Sequence, residues 1–345
     1  MTSLCNRHSV QLVRFGICLL VVGAILSACS RTPSPEYLAA VKEIQNRIDD
    51  FHGAQSTTKD IPQRLAKLIE DNPRQPHAYA EAAHFLIFVG SPNGWPGRSA
   101  KSAEAAESLL DDAQKADPSY CATYWLRAQL FVALEQADHA LSAISTATDH
   151  RCDDPWLHVT HGRALSAKME IDAAENEFRK VLDGGPGGTS HSRSAYAGAA
   201  YDYGVLLYRT GHHDELQQHL SSWEASGLVF DPWAQINLAY LFDLIGKFDH
   251  AQIAAQSALT VLELPAARNA MGLALYGQAW THEAAGDKDG SAAKLTTQAQ
   301  NYLRDDSLAL DVLTGAACCV SDAWKIVLEK HAKLHPERVA PGGAH

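Results

Sequence analysis

The sequence predicts an all-α fold in which helix hairpins stack side by side, as in an α-solenoid. Across most of the 345 residues, Ala and Leu recur at helical spacing, and the alternating pattern of strands is almost absent. Small residues also recur in one frame with a period near 34 residues, which indicates an internal repeat. A single hairpin cannot bury its apolar face alone, so we expect neighbouring hairpins to pack against one another.

The N-terminus has the three parts of an export signal. Arg7 and Arg14 precede an apolar run over residues 15–26, and small residues follow it in Leu26-Ser27-Ala28-Cys29. The run is shorter than the roughly 20 residues that a membrane-spanning helix needs. An uncleaved anchor or an ordinary signal is the alternative.

The tetrapeptide that ends at Cys29 resembles the bacterial lipobox. That resemblance implies a signal peptide over residues 1–28, lipidation of Cys29, and a tether over residues 29–35. Ser30, where Asp would favour inner-membrane retention, resembles an outer-membrane signal. Several acyl chains anchor a protein stably where one does not. We therefore expect a body held at the outer membrane, in the periplasm or at the cell surface.

Helices are also expected on both sides of the repeats. In residues 36–75, Glu36–Asp50 is amphipathic, and a helix over Ile61–Ile69 begins the stack; the apolar face of the first helix has Tyr37, Leu38, Val41, Ile44 and Ile48. In residues 301–345, Ser307–Ala317 and Ser321–Leu334 are predicted as a closing pair, followed by a frayed tail.

The repeat is clearest after Pro155, where Gly162, Ala174, Phe178 and Pro186 follow at steps of 12, 4 and 8. This spacing resembles the tetratricopeptide repeat (TPR). Five to six such units cover residues 76–300, with further copies beginning at Pro76, Cys121, Ala197, Pro232 and Gly272. The resemblance implies a right-handed superhelix, and the longer offsets before Ala197 and Gly272 suggest extra loop residues. A helical bundle without repeats is the alternative.

Two cysteines fall at neighbouring ends of one predicted hairpin. Cys121 opens its first helix and Cys152 follows its second, so a disulfide is possible; two unpaired thiols are the alternative. Cys318 and Cys319 are adjacent, and we do not expect them to form a disulfide with each other, because that needs a strained geometry. The absence of a C-x-x-C motif gives a redox role little support.

Composition and motifs favour binding over catalysis. A net charge of −11 is unfavourable for nucleic-acid binding. The glycine-rich segment 184–190 lacks the Lys of a phosphate-binding loop, and the metal motif H-E-x-x-H is absent. His158 and His161 occupy repeat positions that pack inward, so they are expected to be core or interface histidines and not metal ligands. We therefore expect no catalytic residues, no cofactor and no metal.

In TPR proteins, ligands bind along a concave face formed by one stripe of each first helix. The resemblance places on that stripe Trp125, Gln129, Trp156, Arg163, Tyr201, Tyr208, Arg209, Trp233, Tyr240, Asp243, Tyr276, Trp280 and Glu283. Aromatic side chains and arginine suit a peptide or a glycan. The alternative is that these aromatics fill the core between units, and the Trp95 loop is another possible binding surface.

Together these patterns predict a membrane-anchored TPR scaffold that binds a protein partner in cell-envelope assembly. Similar lipoproteins support pilus or secretion-system assembly or act as adaptors for peptidoglycan enzymes. A polysaccharide-export scaffold that binds glycan is the second hypothesis. A hydrolase in the C-terminal region is the third hypothesis, although no motif in that region indicates catalytic residues.

Overall fold

A computed structural model describes residues 32–51, 58–89, 100–226, 228, 231–303 and 322–335. These residues form fifteen helices and, within the described ranges, no strands. Several predicted features lie outside the described residues: the lipobox with Cys29, the Trp95 loop, the helix Ser307–Ala317, and the pair Cys318 and Cys319.

Twelve of the helices form six successive hairpins. The first helices of the hairpins are α3 (Pro76–Phe88), α5 (Cys121–Ala133), α7 (Pro155–Ala167), α9 (Ser190–Arg209), α11 (Pro232–Leu244) and α13 (Pro265–Ala285). The second helices are α4 (Ala100–Ala116), α6 (Ala137–Asp149), α8 (Ile171–Asp183), α10 (His213–Glu224), α12 (Phe248–Val261) and α14 (Ser291–Gln300). Each first helix packs on the first helix of the next unit, so the fold is an α-solenoid of TPR-like hairpins.

Local sequence fixes where several helices begin. Asp154 and Asp231 each precede a proline, and their carboxylates accept hydrogen bonds from backbone N–H groups of the first turn of α7 and α11. A side-chain acceptor at the N-cap satisfies an amide that has no partner within the helix. Proline suits the first helical position because its ring fixes φ there and it has no N–H to satisfy.

The small residues of the repeat allow close helix packing, as the TPR resemblance implies. A Cβ atom added to Gly162 of α7 would lie 2.5 Å from the ring of Phe178 on α8. A Cβ atom on Gly204 of α9 would lie 2.6 Å from Leu241 on α11, the next first helix. A larger residue at either position would force Phe178 or Leu241 to shift, so glycine allows close packing both within hairpins and between them.

The fourth and sixth units begin earlier than the repeat frame predicts. The expected starts at Ala197 and Gly272 are wrong, because α9 begins at Ser190 and α13 at Pro265. Thr189 and Ser192 form a reciprocal capping box that starts α9. The extra residues in these units thus extend the first helix by about two turns.

Three further helices pack on the hairpins: α1 (Pro35–Asp49), α2 (Ile61–Asp71) and α15 (Asp322–Leu334). On α1, Tyr37, Val41, Ile44 and Ile48 are buried as predicted, whereas Leu38 is exposed. Helix α1 contacts both α3 and α9, although α5 and α7 lie between them in the stack. A helix of 15 residues, about 22 Å long, can reach both helices only from the inner side of the curve. None of the described helices is long and apolar enough to cross a bilayer.

Candidate binding groove

The structure buries most of the stripe that was predicted to bind a ligand. The buried members are Trp125, Gln129, Trp156, Tyr208, Asp243, Tyr276 and Trp280. Arg163, Tyr201, Tyr240 and Glu283 are partly exposed, and of the stripe only Arg209 and Trp233 are exposed. For the buried members, the expectation of an open ligand-binding face must be corrected to the alternative of core packing.

Trp125 and Trp156 form the centre of an aromatic cluster between α3, α5 and α7. Their rings stack with centroids 6.2 Å apart and planes 15° apart. His84 meets Trp125 edge-on at 5.4 Å, and Phe88 meets Trp156 in the same way at 5.4 Å. Edge-to-face and offset stacking are the favourable geometries for such rings. These indoles hold successive units together.

Arg163 connects three consecutive first helices. Its Nε donates to Asp202 Oδ2 of α9 at 2.6 Å, and its Nη1 donates to Gln129 Oε1 of α5 at 3.1 Å. The guanidinium also lies 5.5 Å from the centroid of the Trp156 ring. Because Arg163 is committed to these contacts, its role is to connect units and not to offer a free cation.

At the first end of the stripe, the chain's own segment 35–51 covers the groove. Asp49, whose side chain is 1% exposed, lies 3.4 Å from Nδ1 of His191 on α9 and 3.7 Å from Nε2 of His84 on α3. His191 Nε2 donates to Asp154 at 3.1 Å. Burial alone would lower the pKa of His191, but the two carboxylates raise it to about 10. A buried cation between two anions therefore fixes the end of α1 to the stack.

The two residues after Asp49 continue along the same face. Ser190 donates its hydroxyl to Asp50 at 2.9 Å, and the indole Nε1 of Trp233 donates to the carbonyl oxygen of Phe51 at 3.1 Å. Residues 49–51 thus contact the first helices of units one, four and five. The partner of the Trp233 indole is therefore the backbone of the same chain.

At the other end of the stripe, helix α15 covers α13. The ring of His331 stacks on Trp280 with centroids 4.2 Å apart. Tyr276 is buried and donates its hydroxyl to the carbonyl of Leu303 at 3.2 Å. Both ends of the predicted groove are therefore filled by helices that flank the repeats.

Between these two covers lies a middle window, formed by Tyr201, Arg209, Trp233 and Tyr240. Trp233 remains 37% exposed, and Arg209 is exposed at the end of α9. Burial raises the pKa of Tyr240 to about 12, and the charges of Asp243 and Tyr201 add to the shift. Burial also raises the pKa of Tyr201, and nearby Arg209 opposes that shift. The window combines aromatic surface, phenol hydroxyls and a cation.

The predicted cysteine pair is joined in the structure. Cys121 and Cys152 form a disulfide, and their Cα atoms are 5.4 Å apart. The bond connects the start of α5 to the loop that follows α6, as the arrangement of an antiparallel hairpin suggests. It closes the second hairpin at the end opposite its turn.

Asp49, His191 and Phe51 lie along the groove although no motif in the sequence indicated them. The amphipathic pattern of residues 36–50 predicted a helix with one apolar face but could not show which surface covers that face. His158 and His161 were expected to lie in the core or at an interface between helices. They are partly exposed, and each places Nδ1 near Glu177 of α8, at 2.7 and 3.3 Å.

No family model and no curated protein matches the sequence. Among solved structures, a chain of the APC/C hetero-tetramer Cut9-Hcn1 is similar with a TM-score of 0.49 and 14% identity, over 76% of this chain and 47% of that chain. This chain thus spans about half the length of that one. YrrB, a TPR protein with an unusual peptide-binding site, is similar with a TM-score of 0.33 and 16% identity, over 71% of this chain and 95% of YrrB. At these values, neither similarity bears on what this chain binds.

Proposed function

We propose that this protein is a lipid-anchored scaffold that binds a protein partner through the middle window of its concave face. The partner is a polypeptide segment, held while the anchor keeps the complex at the membrane. In this proposal the scaffold serves cell-envelope assembly, as part of a pilus or secretion system or as an adaptor for a peptidoglycan enzyme. No chemical step is assigned to it.

The observation that supports this proposal most directly is the hydrogen bond from Trp233 to the carbonyl of Phe51. The inner face already binds polypeptide, because a helix and the backbone that follows it lie along its first half. Trp233 stands at the border between the covered part and the open part. A segment laid in the window would meet the aromatic surface of Tyr201, Trp233 and Tyr240 and the exposed side chain of Arg209.

The lipobox supports the anchoring part of the proposal. Cys29 precedes Pro35, the first residue of α1, by only six positions, so a lipid on Cys29 would hold α1 and the inner face close to the bilayer. A Cys29→Ser variant should move from the membrane fraction to the soluble fraction and should lose labelling by a palmitate analogue. Unchanged membrane association of that variant would contradict lipid anchoring.

The glycan hypothesis has less support. Stacking on sugar rings needs exposed aromatic faces, yet Trp125, Trp156 and Trp280 are buried. The hydrolase hypothesis concerned the C-terminal region, much of which lies outside the described residues. No observation in the described part favours it.

Site-specific photo-crosslinking in cells tests the proposed binding face. A crosslinking amino acid at Tyr240 should capture one defined protein. The matched control is Ile253, which is 64% exposed on α12, the second helix of the same hairpin, and should capture none of it. A protein captured equally at both positions would show that the window is not the binding surface.

A second variant asks whether the window side chains carry the affinity. Trp233→Ala combined with Arg209→Ala should reduce the Tyr240 adduct at least tenfold while the circular dichroism spectrum and melting temperature stay near those of the parent. Arg163 is unsuitable for this purpose because it connects three units. Full capture by a folded double variant would place the partner elsewhere.

A further inference from the structure

A cluster of metal-ligand side chains lies where α15 meets α13, outside the window. It consists of Glu283 near the C-terminal end of α13, His331 on the last turn of α15, and His335 immediately after α15. One ligand atom from each side chain lies within 4.8 Å of the other two. We propose that these three residues form a Zn²⁺ site that fastens the C-terminal helix to the last repeat.

The separations between ligand atoms fit a zinc ion. Glu283 Oε2 lies 3.0 Å from Nδ1 of His331 and 3.5 Å from Nε2 of His335. Zinc bonds to imidazole nitrogen and carboxylate oxygen are about 2.0–2.2 Å, so tetrahedral ligands lie ~3.3 Å apart. The two observed distances lie on either side of that value. Small side-chain rotations would therefore suffice to coordinate the ion.

The donor set also suits this metal. Two imidazoles and one carboxylate are a common protein ligand set for zinc that leaves a fourth position for water. His331 and His335 are four residues apart, so they lie on one face of the helix end, where the His335 amide still bonds to the His331 carbonyl. The ligands come from two elements far apart in sequence, so binding would stabilise their docking.

The surroundings favour a preorganised metal site that solvent can reach from one side. His331 is 4% exposed, and its ring is held against Trp280, one helical turn before Glu283 on α13. A packed ring keeps its nitrogen oriented, which lowers the cost of assembling the ligands. Glu283 and His335 are 23% and 28% exposed, so an ion and its water can enter from their side.

A nearby group, His282 with Asp287 and Asp289, is a weaker candidate. Asp287 accepts a hydrogen bond from the Ala292 amide and Asp289 from the Ser291 amide, so both carboxylates cap α14. His282 and Asp289 are also exposed. This group serves as an internal control, because metal binding that depends on His282 would place the ion there.

Calorimetric titration of the chelator-treated mature protein with ZnCl₂ tests the proposal. One ion per chain should bind with micromolar or tighter affinity. Binding should weaken at least tenfold in Glu283→Gln and in His335→Ala. The control variants His282→Ala and His250→Ala should bind like the parent; His250 is exposed and pairs with Glu224 on the neighbouring hairpin.

A spectroscopic measurement separates ligation from a loss of structure. Co²⁺ in the same site should give visible absorption bands typical of tetrahedral coordination, and His335→Ala should lose them while its circular dichroism remains unchanged. His335 lies after the end of α15 and is partly exposed, so its replacement leaves the helix intact. Absence of binding at 100 µM Zn²⁺, or binding that Glu283→Gln and His335→Ala do not weaken, would overturn the proposal.

Discussion

His191 forms an ion pair with Asp49, with 3.4 Å between Nδ1 and Oδ2, and so joins the end of α1 to the beginning of α9. Helix α1 precedes the first hairpin, and α9 is the first helix of the fourth hairpin. Their pairing means that the concave face is partly filled before any partner arrives. A partner that needs the covered part must displace residues 35–51, whereas one that uses the window need not.

The first prediction is that the ion pair of Asp49 and His191 holds α1 against the hairpins. Asp49→Asn removes the charge that faces His191 and His84, so α1 should detach more often. Amide hydrogen exchange of residues 35–51 should become at least tenfold faster, while exchange in α11 and α12 stays the same. Exchange followed by mass spectrometry measures both regions at once.

The control for that experiment is Asp71→Asn on α2. Asp71 is exposed and pairs only on the surface with Lys67 at 3.1 Å, so its loss should change little. Unchanged protection of residues 35–51 in Asp49→Asn would show that apolar packing alone holds α1.

The raised pKa of His191 predicts a pH dependence of stability. Because the folded-state pKa of about 10 exceeds the ordinary value of 6.5, its contribution is complete below about pH 6.5 and is lost as pH rises through 10. By linkage, a shift of that size corresponds to roughly 3–5 kcal/mol of unfolding free energy. The stability difference between the parent and His191→Gln should therefore shrink by this order between pH 6 and pH 10.5, as measured by urea unfolding.

Other groups titrate over the same range, so the comparison must be made between variants. His250→Gln removes an exposed histidine that lies 3.4 Å from Glu224. The change with pH should be larger for His191→Gln than for this exposed control. A flat difference for His191→Gln would mean that this imidazole is not a buried cation in the folded protein.

The disulfide predicts a loss of stability on reduction. The bond closes a loop between residues separated by 31 positions, and the chain-entropy relation gives ~3–4 kcal/mol for a loop of that size. Cys121→Ser combined with Cys152→Ser should lower the unfolding free energy by that amount. Dithiothreitol should have the same effect on the parent and none on the double variant. Equal sensitivity of both proteins to the reductant would contradict this.

The sequence was sufficient to predict the repeat and its internal packing. The spacing of Gly162 and Phe178 reflects a contact within one hairpin, so a local pattern reveals it. The positions of α1 and α15 on the stripe could not be predicted in this way. The contacts of Asp49 with His191, and of Glu283 with His331, join distant segments and leave no periodic signal. For the same reason the stripe was expected to be open, whereas the structure buries most of its side chains.

The last prediction concerns Asp243, a buried acid on the stripe. Its side chain is fully buried, and neither carboxylate oxygen has a hydrogen-bond partner among the described residues. Burial raises its pKa well above the ordinary value of 3.8, so the folded state holds a proton that the unfolded chain releases. Stability is therefore lost as pH rises from about 4 towards the folded-state pKa.

Asp243→Asn removes this dependence and keeps the shape of the side chain. Its melting temperature should exceed that of the parent at pH 7.5, and the difference should vanish near pH 4. Asp249→Asn, at an exposed position on α12, is the control and should gain less stability than Asp243→Asn at pH 7.5. A parent that stays more stable than Asp243→Asn at pH 7.5 would mean that Asp243 makes a stabilising interaction as an anion.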